Sequence, residues 1–200
     1  MKLIKIAITG GMLVLMAACN EPDDRGDFND LVVNEVVSSN DGVSIDETGQ
    51  PEDLIELANI GTKTLQLSDY AIADAGSEFI QLPDLALVPG AFIQLWASDE
   101  PARGAMHLPF KLSAAGDRIS LRNREGEIYQ QVEIPALATN QSYSRFPSGT
   151  GNFSFCRYAT PGKSNGNQCA PNTSPPLQDD VQFATFSAEQ WPSMTQPNIG

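Results

Sequence analysis

The stretch Asp53-Leu54-Ile55-Glu56-Leu57-Ala58-Asn59 decides the fold. Its side chains alternate, Ile55 and Leu57 on one face and Leu54 and Glu56 on the other, which is the two-residue period of a strand lying on a core. Asn59-Ile60-Gly61 then turns the chain. Upstream, Leu31-Val32-Val33-Asn34-Glu35-Val36-Val37 is β-branched and ends in Ser38-Ser39-Asn40-Asp41-Gly42, whose Asn, Asp and Gly tolerate positive φ. Downstream, short strands are predicted over 64–67, 70–73, 79–82, 92–96, 110–112, 118–122, 128–134 and 142–146, separated by turns such as Leu87-Val88-Pro89-Gly90. Strands at this spacing, with no sustained helical periodicity, predict an all-β protein, a sandwich or a barrel.

The ends of the chain read differently from this middle. Lys2 and Lys5 precede a short apolar run ending at Ala17-Ala18-Cys19, too short to span a bilayer and followed by polar Asn20-Glu21-Pro22-Asp23-Asp24. Leu15-Met16-Ala17-Ala18-Cys19 resembles the bacterial lipobox, with Met16 where a branched aliphatic is usual. Residues 1–18 are therefore expected to be a lipoprotein signal peptide and Cys19 the site of lipidation, anchoring the exported chain to a membrane. Asn20 after the cysteine resembles the pattern passed to the outer membrane. Residues 19–29 form an acidic tether, 30–169 the folded domain, and 170–200 a Pro/Ser linker and C-terminal tail. Within that tail, Val181 to Met194 holds Phe183, Phe186 and Trp191, too apolar for a pure spacer.

Charge narrows the function classes. The 200 residues carry a net charge of −13 at pH 7. Arg118, Arg122 and Arg124 are interleaved with Asp117, Glu125 and Glu127, so no basic stripe is available for phosphates and nucleic-acid binding is not expected. Of three cysteines, Cys156 and Cys169 remain after the anchor. An even pair in an oxidising compartment is expected to be disulfide-bonded, and the loop between them reads as Gly/Asn-rich and otherwise poorly held.

Seven pieces, in order, resemble the lamin tail domain. Val33-Asn34-Glu35-Val36 resembles its opening "INEV", Asp53 to Asn59 resembles "DWIELYN", and Leu67-Ser68-Asp69-Tyr70 resembles "LSGW". The Leu87 to Gly90 turn, Phe110 to Asp117, Ser142 to Gly149 and Thr160-Pro161-Gly162-Lys163-Ser164-Asn165 match the later segments. The resemblance implies an immunoglobulin-like β-sandwich that binds or scaffolds and does not catalyse. Leu54 stands where the family has tryptophan and Ala58 where it has tyrosine, which predicts lighter packing on one sheet face, and residues 38–52 form a longer acidic insertion than the family leads one to expect.

The residues agree with a non-enzyme. The one histidine, His107, has no cysteine or second histidine at ligand spacing and is expected to be an exposed, inert loop imidazole. No Gly-x-Ser-x-Gly elbow is present. Asp41, Asp46, Glu47 and Asp53 are the calcium candidates, being hard oxygen ligands near one loop, but their spacing is not that of an EF-hand and a solvated acidic loop is the simpler reading. Glu35 and Glu56 are expected to pair with Arg118, Lys111 or Arg145. The chain is thus expected to be an envelope lipoprotein without cofactor, binding a protein or glycan partner. The alternative is a calcium-stabilised accessory domain of an exported hydrolase or nuclease complex.

Overall fold

The computed structural model describes residues 27–166 and Cys169. The expected signal peptide, the expected lipidation site Cys19, most of the expected acidic tether and the expected tail from residue 170 lie outside them. In chain order the strands are β1 (Leu31–Val37), β2 (Asp53–Asn59), β3 (Leu65–Gln66), β4 (Tyr70–Ala73), β5 (Ile80–Gln81), β6 (Ala86–Leu87), β7 (Phe92–Ala97), β8 (His107–Leu108), β9 (Asp117–Asn123), β10 (Ile128–Ile134), β11 (Ser142–Phe146) and β12 (Asn152–Cys156). One sheet runs β12-β11-β1-β2-β7-β8, a second β10-β9-β4-β5, and β3 with β6 makes a two-stranded ribbon. The chain is mostly β, and its sheets form the expected immunoglobulin-like sandwich.

The core lies between the two larger sheets, where Val33, Ile55, Leu57 and Leu95 meet Ile72, Ile119 and Leu121. β1 is buried along its whole length and β2 at every residue but Asp53. Such strands need cover on both faces. The smaller sheet covers the inner face. Over the outer face lie the 38–52 insertion, whose Ser44 Oγ donates to Gln94 of β7, and the segment after β12, whose Ala159 packs with Val37, Leu54 and Trp96.

Three expectations need correction. Residues 110–112 are not a strand: the chain pairs earlier, as β8 parallel to β7, and only a single bridge joins Ser98 to Lys111. Pro109 has no N–H to extend that pairing. Residues 152–156, where no strand is predicted beyond 142–146, form β12 in five-residue register with β11. Leu54 does not leave its face lightly packed. It is fully buried, and Trp96 stands directly across from it on β7, supplying the indole from the neighbouring strand.

Leu57 sits at the centre of the core with no exposure. Leu57→Ala is expected to lower the free energy of unfolding by about 3 kcal/mol, and Leu57→Met by less than about 1.5 kcal/mol, measured by urea denaturation.

Candidate functional site

Polar chemistry concentrates in three places, and the largest begins at a bulge. The β1–β2 register shifts between Val33 and Glu35, which makes Asn34 the extra residue. Val33 keeps its place in the core while Glu35 stands opposite Glu56. The registers then align Ser154, Ser144, Glu35, Glu56 and Gln94 in one row across five strands, on the outer face of the larger sheet. Both glutamates are fully buried.

A strap, residues 157–166, supplies the donors this row needs. The Thr160 N–H donates to both oxygens of Glu35, at 3.1 and 2.9 Å, and Ser144 Oγ donates to the same carboxylate at 2.8 Å. The Gly162 N–H donates to Glu56 Oε2, and Asn34 Nδ2 donates to Glu56 Oε1 at 2.8 Å. Gly162 has φ of 73°, the left-handed conformation that glycine adopts without penalty. Asn165 closes the strap, donating from its backbone to Ser148 Oγ at 2.6 Å and from its amide to the Arg145 carbonyl at 2.8 Å. The disulfide between Cys156 and Cys169 ties the far side. The loop expected to be poorly held is thus pinned from both ends and the middle.

The expected ion pairs of Glu35 and Glu56 are not formed. Arg145 is adjacent to Ser144 on β11 and so points to the opposite face, where its Nε donates to the Val33 carbonyl at 2.9 Å and its guanidinium lies 4.6 Å from the centre of the Phe153 ring. Arg118 faces Glu133 at 3.8 Å, and the charge of Lys111 acts on Asp53. Burial raises the pKa of Glu35. Burial, opposed by the Gly162 and Asn34 donors and reinforced by the Glu35 charge, pushes Glu56 up to about 7.

The second cluster joins the 38–52 insertion to the loop after β7. Arg103 bridges Asp46 and Glu52 and reaches Glu100 at 3.1 Å. Asp46 Oδ1 also accepts the Thr48 N–H and hydroxyl, both at 2.8 Å, and the Gln50 N–H at 2.9 Å. Burial alone would raise the pKa of Asp46, but these donors and the Arg103 charge outweigh it and hold the group at about 2. The insertion is therefore not simply solvated.

His107, expected to be exposed, is 4 % exposed. Its Nδ1 lies 3.0 Å from Ser98 Oγ and its Nε2 lies 3.2 Å from Glu47 Oε1. The line serine, imidazole, carboxylate has the composition of a hydrolytic triad, but Ser98 is 1 % exposed and its hydroxyl already accepts the Glu100 N–H at 3.2 Å. It works here as a clamp between two loops.

The calcium candidates are not drawn into one cage. Asp46 faces Arg103, Glu47 faces His107, and Asp53 accepts the Asn40 N–H at 3.4 Å. Asp41 is exposed, its own N–H donating to Asn140 Oδ1 at 2.7 Å. Among the described residues no group of three or more His, Cys, Asp or Glu side chains is disposed to hold a metal ion.

The third place is a cleft of about 280 Å³ at the opposite end of the sandwich, lined in part by Asn59, Ile60, Phe92, Ser148, Gly149 and Thr150. Gly149, at φ of 72°, donates its N–H to Asn34 Oδ1 at 2.7 Å and leaves room for Ile60, which occupies the space a Cβ would take. Asn59 is held by donating to the Leu87 and Lys63 carbonyls, so the walls are fixed. No sequence motif pointed to this cleft, because residues from three separate turns form it.

The folded pKa of Glu56, about 7, lies above its ordinary 4.5, so the folded chain holds more protons than the unfolded one between those values. The stability this group contributes is complete below pH 4.5 and is lost as pH rises to about 7, by at most about 3 kcal/mol. Urea denaturation across that range is expected to show a fall in the wild type that flattens in Glu56→Gln. Thermal melting with and without a calcium chelator is expected to give the same midpoint, because Arg103 already bridges Asp46 and Glu52. A fall of several degrees on chelation would favour the calcium-stabilised alternative.

No curated protein matches the chain. The family profile of the Lamin Tail Domain matches residues 26–136, more than half of its length. That span runs from the start of β1 through β10, and the resembling pieces beyond it, Ser142 to Gly149 and Thr160 to Asn165, are those that meet Asn34, Glu35 and Glu56. The chain belongs to the lamin tail domain family.

Proposed function

We propose that this protein is a non-catalytic lipoprotein of the bacterial cell envelope, exported and anchored through Cys19 to the outer membrane, whose sandwich binds a protein or glycan partner. The end-on cleft is the proposed seat. The observation that carries this reading is the chemistry of its walls: none of the residues lining it has an ionisable side chain, and what they offer is apolar surface, hydroxyls and backbone groups. Such a lining suits recognition, whereas acid–base or nucleophilic turnover needs a titratable group within reach of the substrate. The strongly acidic composition supports a soluble, externally facing domain on a tether.

Affinity capture from detergent-solubilised envelopes tests the reading. The wild type is expected to sediment with membranes and to retain a partner. Cys19→Ala is expected to be soluble and to bind the same partner, while Ile60→Ala with Thr150→Arg, at an unchanged melting temperature, is expected to lower retention at least tenfold. Retention that survives the cleft variant would move the binding surface elsewhere. Hydrolytic turnover by the purified protein, abolished by His107→Ala, would overturn the non-catalytic assignment.

A further inference from the structure

We propose that β12 is completed by this chain's own C-terminal tail, residues 181–186 (Val-Gln-Phe-Ala-Thr-Phe) adding to it as an antiparallel strand. β12 is the outermost strand of the larger sheet, and among the described residues it pairs only with β11. Exposed edges are ordinarily blunted by lysine, proline or a bulge. Asn152-Phe153-Ser154-Phe155-Cys156 has no charged residue and no proline, and its five pairs with β11 run without a register shift. It is an unbulged, uncharged edge, ready to take another strand.

The face beside that edge is aromatic. β10 ends the smaller sheet over β1, where the Tyr129 hydroxyl donates to the Leu31 carbonyl and Gln130 Oε1 accepts the Val33 N–H. β11 and β12 therefore project beyond the smaller sheet. On the projection Tyr143 stacks on Phe153, with ring centres 5.1 Å apart, and meets Phe155 at 5.5 Å. Phe155 is 37 % exposed, and Tyr158, two residues past the strand, is 64 % exposed.

The occupant follows from where the tail starts. The disulfide holds Cys169 beside Cys156, their Cα atoms 4.2 Å apart, so the tail departs from the C-terminal end of β12 itself. A chain leaving there returns along the edge in the antiparallel sense. The intervening residues 170–180 reach at most about 36 Å, and β12 is about 17 Å long, so the segment spans any register along it. Tethering at this distance gives an effective concentration in the millimolar range, which favours the tail over a second copy of the chain. Residues 181–186 are β-branched or aromatic at four of six positions by the sequence, without charge, glycine or proline, between Pro176 and Pro192. In the antiparallel register that sets Val181 opposite Cys156, Asp179 and Asp180 come beside the exposed Arg157.

Residue-resolved amide hydrogen exchange on the full soluble chain, Cys19→Ala with the disulfide intact, tests this. The β12 amides not bonded to β11 are expected to exchange slowly, at a rate independent of protein concentration, and at least tenfold faster in Phe183→Ser with Phe186→Ser. Protection of β1 in the same samples checks that the sandwich remains folded. Equal rates in the two proteins, whether fast or slow, would overturn the proposal. Protection that rises with concentration would overturn it in favour of a second copy.

Discussion

A pair of carboxylates buried on the outer face of the two central strands sets the terms for the rest of the structure. Desolvating an ionised carboxylate costs several kcal/mol unless donors meet it. Glu35 and Glu56 stand side by side in register, so each also raises the cost of charging the other. The sheet cannot bury them alone, because its own N–H groups are used in pairing. Thr160 and Gly162 bring the missing donors from a segment more than a hundred residues away in sequence. Strap and sheet therefore depend on one another: the strap has little apolar surface with which to dock, and the two glutamates take from it the backbone donors that their burial requires.

The same constraint explains the bulge. A strand facing a core on one side alternates, and placing Asn34 as an extra residue lets Val33 and Val36 both face inward while Glu35 faces out. Asn34 then serves both neighbours, donating to Glu56 and accepting the Gly149 N–H. Through that last bond the carboxylate network reaches the turn that shapes the cleft at the end of the sandwich. A buried, satisfied polar network of this kind fixes position more strictly than apolar packing does, so the cleft wall is registered to the central strands.

Much of the fold was legible because strands on a core reveal themselves by alternation, as in Ile55 and Leu57, and turns by Asn, Asp, Gly and Pro. The candidate site was legible only in its parts. Glu35, Glu56, Thr160 and Asn165 all lie in segments that resemble the family, but a period of two says which face a residue takes and not what lies over that face. Pairing Glu56 with a lysine or arginine is the simplest reading of a strand carboxylate, and backbone donors leave no signature in sequence. His107 misled for the same reason. A histidine flanked by Met106 and Leu108 in a loop looks exposed until the insertion folds over it, and the insertion's position depends on Arg103 reaching Asp46 and Glu52.

The family match ends at residue 136, yet the domain does not close there in physical terms. Without β11, β1 becomes an edge strand and loses the partner that supplies Ser144 to Glu35. Without the strap, Glu35 and Glu56 face water or protonate. The disulfide acts on this last stage of assembly: closing the loop between Cys156 and Cys169 restricts the unfolded chain by an amount worth roughly 3 kcal/mol in the chain-entropy model, and it keeps the strap beside its acceptors. The strap thereby has two different anchors on one segment. The covalent one is indifferent to protons. The carboxylate one is not, because burial has drawn the titration of Glu56 up toward neutrality.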